Sequence, residues 1–431
     1  MKHNNGKSQY VLKFNITLLL NYCNFATIKA MRIKGIILFC GLILVHICGK
    51  TQPGSQVLSF NFLGTSVVMP ANPFPALRYT VALTENSIQD FYKKLNSTDY
   101  QPLIDHLLNY RDKEKLDDWL YYQLIRKTAQ QISPKAENYF SYTIYKWFLL
   151  TKSGYDAMIR ISTGKMLLYV QSDELIYNIP YLFQNTKQYV CLNYHDYGND
   201  IDFNKEHFNN VSINIPEGKK AFTYKVNHLP DIKSDNYIEK NIGFNYSRKQ
   251  YHFNIKLNPE IKALFTNYPA SDYGNQFNMP LSKETYNSLI PQLKEIVSQM
   301  KTINGVDYLM HFTRYAFLYQ KDTDVFGREK RLSPEETLLY ETSDCEDRAA
   351  LFLFLVKEIY KLPMIVLSYP NHVTVAVNFD KPVGKPIMYN GEPYYICEPT
   401  PQKKYLHMGK LLPKLKNERF EIAYVYQPGS Q

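Results

Sequence analysis

A thiol, an imidazole and a carboxylate follow one another near the end of this 431-residue chain: Cys345, His372 and Glu398. Cys345 sits in the run Ser343-Asp344-Cys345-Glu346-Asp347-Arg348-Ala349. Those residue types suit a nucleophile, a general base and a group that orients the base. The chemistry would be attack of a thiolate on an amide carbonyl, with the imidazole protonating the leaving amine. Water resolving the thioester gives a hydrolase and an amine gives a transferase; the sequence leaves both open.

The elements that must hold these groups can be read around them. Glu341-Thr342-Ser343-Asp344 is a polar break, after which Ala349, Phe352, Val356 and Ile359 recur at helical spacing. Ser343 and Asp344 are N-cap candidates, and Pro363 ends the helix no later than Leu362. Cys345 is therefore expected in the first turn. Free N–H groups and the helix dipole there favour a thiolate, while Asp344, Glu346 and Asp347 oppose it. Pro370-Asn371 signals a turn. His372 to Phe379 then alternates, with Val373, Val375, Val377 and Phe379 on one face, so His372 opens a strand off its apolar face. Tyr394 to Glu398 reads as the next strand, with Glu398 pointing opposite to a packing residue, Cys397. Pro382 to Pro393 reads as the hairpin connection between the two.

In this order and placement the residues resemble the transglutaminase-like cysteine enzymes. The resemblance runs from about residue 322 to 400, roughly a fifth of the chain. It rests on Ser333-Pro334-Glu335-Glu336-Thr337-Leu338, the run around Cys345, Asn371-His372-Val373, and Tyr394-Tyr395-Ile396-Cys397-Glu398-Pro399-Thr400. The acid-rich Asp-Cys-Glu-Asp form looks most like the bacterial transglutaminase-like cysteine proteinases and related secreted proteins of Bacteroidetes type. The resemblance implies an α+β, papain-like core with Cys345 as nucleophile, His372 as base and acid, and Glu398 as orienter. Two positions depart from the family, which has Gly at 343 and Asp or Asn at 398. The Cys345 backbone N–H is one oxyanion donor, and Tyr319 and Gln320 are candidates for the second. Some members bind calcium through acids flanking the nucleophile, which Asp344 and Glu346 match; capping by Asp344 is the competing explanation. No other cofactor is implied. The substrate would be a peptide or protein, such as a cell-surface or cell-wall peptide. The alternative is an inactive scaffold of the cell envelope that keeps the shape.

There is no CxxC pair, no HExxH and no GxxxxGK[ST], so zinc-protease and P-loop chemistry have no support. The first 49 residues read as an upstream extension plus a signal peptide. Met31 is the natural start, with a basic n-region and an apolar run from Gly35 to Val45, too short to span a bilayer. Export to the periplasm or surface of a Gram-negative bacterium follows, with no membrane span afterwards. Ile47 before Cys48 fits a lipobox poorly. Six basic residues and no acid fall within positions 1–49, so the formal +10 drops to about +4 beyond them, and nothing points to nucleic acid. Three cysteines remain after that segment, an odd count that suits a working thiol rather than a disulfide framework.

A second pattern lies upstream. Shifted by 206 without a gap, Gln188-Tyr189-Val190-Cys191 meets Tyr394-Tyr395-Ile396-Cys397, and Ala157 to Ser162 meets Pro363 to Ser368. Cys345 then meets Tyr139, His372 meets Met166 and Glu398 meets Leu192. Residues 56–195 are thus expected to form a degenerate copy that has lost its chemistry, with Cys191 and Cys397 as equivalent core residues. Residues 200–265 alternate in short runs and suggest a small β-sandwich-like spacer. Residues 280–426 would be the catalytic domain.

Overall fold

The computed structural model describes residues 57–71, 74–198 and 200–429. The expected signal peptide lies outside them. The fold is mixed α+β, with antiparallel sheets and eleven helices among the described residues.

A hairpin opens it, β1 (Val57–Phe62) and β2 (Thr65–Pro70). Helices α1 (Glu85–Asn96), α2 (Gln101–Glu114), α3 (Asp118–Ile132) and α4 (Tyr139–Lys152) follow. Thr84 and Ser87 form a capping box on α1, and Asn138 caps α4 through the Ser141 N–H. Next come β3 (Ala157–Ser162), β4 (Lys165–Gln171), β5 (Ile176–Tyr177), β6 (Tyr181–Gln184), β7 (Lys187–Cys191) and β8 (Asn209–Asn210). Five of these make a sheet ordered β6-β7-β4-β3-β8.

The expected β-sandwich at 200–265 is absent; that expectation is corrected to a single long hairpin, β9 (Ile238–Tyr246) with β10 (Lys249–Leu257). The alternating runs at 211–215 and 222–226 do bury Val211, Phe222, Tyr224 and Val226. They do so as extended segments laid on the amino-terminal half, without a ladder partner beyond β8 and one bridge from Lys220 to Tyr155. Alternation reports a one-sided burial, and here a single extended chain satisfies it.

After the hairpin come α5 (Glu260–Phe265), β11 (Ala270–Ser271), α6 (Tyr273–Phe277), α7 (Lys283–Ser298) and α8 (Thr302–Tyr315). Strand β12 (Leu318–Tyr319), helices α9 (Asp322–Phe326) and α10 (Pro334–Leu339), and strand β13 (Thr342–Ser343) lead to α11 (Cys345–Tyr360). The chain ends with β14 (Met364–Tyr369), β15 (His372–Val377), β16 (Ile387–Tyr389), β17 (Glu392–Cys397) and β18 (Glu421–Tyr426). These five form a sheet ordered β16-β17-β15-β14-β18. The expected loop between the two site strands therefore carries a strand of its own, β16. Val373, Val375 and Val377 face the main core with α11, while Ile365, Leu367 and Ala376 meet Leu412 and Leu415 on the other side. Every residue of β15 is buried, as a central strand covered on both faces requires.

The two five-stranded sheets share one strand order, and their registers correct the ungapped alignment. The β3–β4 pairing of Ala157 with Val170 and the β14–β15 pairing of Met364 with Val377 superpose at a shift of 207 (364 less 157). Tyr169 pairs with Cys191, and Val375 with Cys397. With β4 shifted by 207 to reach β15, β7 must shift by 205 to reach β17. The faces agree: Met166 and Leu168 join the main core as Val373 and Val375 do, and Val190 and Leu192 as Tyr395 and Cys397 do. Cys191 lies instead in an outer cluster with Leu167 and Tyr169, so Cys191 and Cys397 are not equivalent. A one-residue slip exchanges the faces of a strand, and the sequence match, dominated by apolar residues on both sides, could not detect it. Counterparts by register and face are Lys165 for His372 (372 less 207) and Asn193 for Glu398 (398 less 205). Tyr139, following the cap of α4, matches Cys345, following the cap of α11.

Candidate active site

Cys345 is the first residue of α11, and Asp344 is its N-cap. The acidic run divides into separate tasks. Asp344 accepts the Glu346 N–H at 3.2 Å, which leaves the Cys345 N–H outside the cap. Asp347 accepts the Asp344 N–H at 3.2 Å and the Leu332 N–H at 2.8 Å, clasping the preceding loop to the helix. Glu346 alone meets the sulfur: Cys345 Sγ donates to Glu346 Oε2 at 2.8 Å.

That contact decides the state of the thiol. Burial, then the Glu346 and Asp344 carboxylates, push Cys345 far above the ordinary thiol range. The backbone N–H of Val373 works in the opposite sense. Of the two opposed influences the sequence offered, burial and the acidic neighbours, Glu346 foremost, outweigh the helix dipole and favour the thiol. The sulfur, within reach of the Val373 N–H, lies near the start of β15, which His372 opens.

His372 opens β15, and its Nε2 lies 2.8 Å from Glu398 Oε2, with both side chains buried. A carboxylate accepts only, so Nε2 donates in this hydrogen bond. The second Glu398 oxygen accepts the Thr400 N–H at 2.9 Å, and Arg314 Nε donates to the Glu398 carbonyl at 2.6 Å. Glu398 stands just past β17. No hydrogen bond joins Cys345 to His372; the thiol turns to Glu346 instead.

The oxyanion candidates lie alongside. Strand β12 runs parallel to β13, pairing Tyr319 with Ser343, two positions before Cys345. Burial, and then the charges of Cys345, Asp344 and Glu346, raise the Tyr319 hydroxyl to about 12. Tyr319 keeps its proton at neutral pH and can donate it. Gln320 is exposed, and its N–H reaches the Ser343 carbonyl at 3.4 Å.

Arg348 is the functional residue the sequence reading missed. Its buried guanidinium donates to the carbonyls of Thr313 and Arg314 at 2.8 Å each, and of Phe317 and Leu318 at 3.0 and 2.9 Å. It caps the end of α8 and fixes the start of β12, and with it Tyr319. A basic residue in the first turn of a helix, where the dipole disfavours it, was the available signal.

Two acids join Asp344 without having been foreseen. Carboxylate oxygens of Asp322, Glu329 and Asp344 lie within 4.8 Å of one another, as do ligand atoms of Asp344, Cys345 and Glu346. Burial pushes Asp322 up to about 7, and burial with neighbouring anions raises Asp344. Asp322 also accepts the Lys330 N–H at 2.8 Å. An all-oxygen set of mutually repelling carboxylates suits a hard cation such as calcium, which would supply charge neutralisation. Sequence distance hid the set: Asp322 and Glu329 reach it from α9 and the following loop.

In the amino-terminal half the corresponding positions do something else. The Tyr139 hydroxyl donates to Asp196 at 3.0 Å and receives Asn193 Nδ2 at 2.7 Å. Lys165 turns away to pair with Glu206. Cys191, Cys345 and Cys397 are all unbridged. Among the described residues no helix is long and apolar enough to cross a membrane. Comparison with family models, with curated proteins and with solved structures finds no match for this chain.

Proposed function

We propose that the protein is a thiol-dependent amide hydrolase or acyl transferase of transglutaminase-like type, acting on peptide-like substrates outside the cytoplasm. The observation that carries this is the buried His372–Glu398 pair at the start of β15, near which the Cys345 sulfur lies. In the reaction the proton passes from Sγ to Nδ1 of His372 as the thiolate attacks, and His372 then returns it to the leaving amine. Glu398 holds the ring and stabilises the imidazolium. The Cys345 N–H and the Tyr319 hydroxyl serve the oxyanion.

The resting thiol, held by Glu346, must first be released. Calcium on Asp344 with Asp322 and Glu329 would lower the local negative charge and favour the thiolate. The thiol–Glu346 contact equally supports a second reading, an inactive scaffold of the cell envelope. The shared strand order of the two sheets supports descent by duplication, with the amino-terminal copy having lost its reactive groups.

The test is the pH-dependence of Cys345 alkylation by iodoacetamide, in wild type and His372→Ala, with and without calcium. A midpoint that rises in the variant establishes the coupled pair. Identical slow alkylation in both proteins, unmoved by calcium, selects the scaffold.

A further inference from the structure

The amino-terminal half contains a cavity that the catalytic reading does not use. It lies among the β1–β2 turn, α3 and α5, and encloses about 610 Å³, within the range of small-molecule sites. Arg126, Lys127 and Lys135 line it, opposite an apolar wall of Phe62, Leu63 and Leu264. Glu260 is the one carboxylate in the lining, and it accepts a hydrogen bond from Asn236.

The positive charge there is not balanced. Lys135 pairs with Asp196 at 2.6 Å. Arg126 and Lys127 have no carboxylate partner among the described residues. Arg126 Nη1 donates to Gln123 Oε1 at 2.7 Å, which fixes the orientation of that amide. Gln123 is only 5% exposed, lines the cavity, and its Nε2 has no partner. Arg126 also hydrogen-bonds the Tyr142 hydroxyl, so what it lacks is a counter-ion rather than a hydrogen bond, and a charge half-removed from water is costly without one. Behind Tyr142, another lining residue, the fully buried Lys146 ammonium lies 4.5 Å from the ring. Burial, with Arg126 and Lys135 adding to it, lowers that ammonium to about 7. The region therefore holds three full cations, Arg126, Lys127 and Lys135, against two carboxylates, Asp196 and Glu260, with the partly neutral Lys146 amine behind them.

We propose that this cavity binds an oxyanion, a carboxylate or a phosphate, carried on a partly apolar body. The planar guanidinium of Arg126 provides the forked donor that such groups prefer, Lys127 and Lys135 provide point charges, and Phe62, Leu63 and Leu264 cover the apolar part.

Equilibrium dialysis of the full chain against inorganic phosphate and against benzoate, at ionic strength held constant with sodium chloride, tests it. Saturable binding of at least one probe is expected, at one site per chain. Phosphate alone would identify a phosphorylated ligand, and benzoate alone a carboxylic acid. Arg126→Gln should weaken binding by about tenfold or more. Lys127→Gln, at an exposed position that folding does not depend on, should weaken it by about threefold. Cys345→Ala should leave it unchanged. No saturable binding of either probe, or binding unchanged in both cavity variants, overturns the proposal.

Discussion

At the scale of single residues, the chemistry turns on one carboxylate. Glu346 accepts the thiol proton at 2.8 Å and, after burial, is the largest influence holding Cys345 protonated. Glu346→Gln removes that charge while keeping the side chain's shape, so the alkylation midpoint of Cys345 should fall by about one pH unit or more. A midpoint that stays in place would mean that burial alone sets the thiol. The acids behind it act on folding as well. Asp322 is raised from its unfolded value to about 7 in the fold. A carboxyl that binds its proton more tightly when folded adds stability at low pH and loses it as pH rises through the folded value. Between pH 5 and 8 wild type should therefore lose stability that Asp322→Asn does not lose. The difference, read from urea midpoints at the two pH values, is expected at about 1–3 kcal/mol. Millimolar calcium should narrow the gap if these carboxylates bind it.

At the scale of elements, α11 shows what a sequence discloses and what it does not. Its start at Cys345, its Asp344 cap and its apolar face were legible, because each depends on near neighbours along the chain. So were the opening of β15 at His372 and the packing role of Cys397. The roles of Asp347 and Arg348 were not, because their partners, Leu332 and the carbonyls of residues 313–318, become neighbours only on folding. The β-sandwich failed for a related reason: alternation at 211–226 specifies a buried face but not a strand partner. Arg348 gives this its test. Arg348→Met should cost about 3–5 kcal/mol in urea unfolding, since four carbonyls, three of them buried, lose their donor together. Arg348→Lys should recover little, because one ammonium cannot match a planar fork. Full recovery by lysine would show that charge, rather than geometry, matters there.

At the scale of the whole molecule, the two sheets are tied into one body. The main core cluster runs from Leu58 through Trp147 and Leu168 to Leu355, Val375 and Cys397 without a break, and Lys240 on the central hairpin reaches the carbonyls of Leu338 and Tyr340 at 3.1 and 3.2 Å. A shared apolar core couples the halves energetically, since opening either one exposes the surface of the other. The chain offers independent reporters for this. Both tryptophans, Trp119 and Trp147, belong to the amino-terminal half, whereas the buried thiol of Cys397 belongs to the carboxyl-terminal sheet. Tryptophan fluorescence and mass-resolved alkylation of Cys397, followed along one urea series, should therefore give a single coincident transition. If the thiol became reactive at a lower urea concentration than the tryptophans moved, the carboxyl-terminal sheet would open on its own. The amino-terminal half would then be a separate folding unit whose stability is independent of the neighbouring core. A coincident transition means the reverse: the amino-terminal half is part of what holds the carboxyl-terminal sheet, and with it His372 and Glu398, in place.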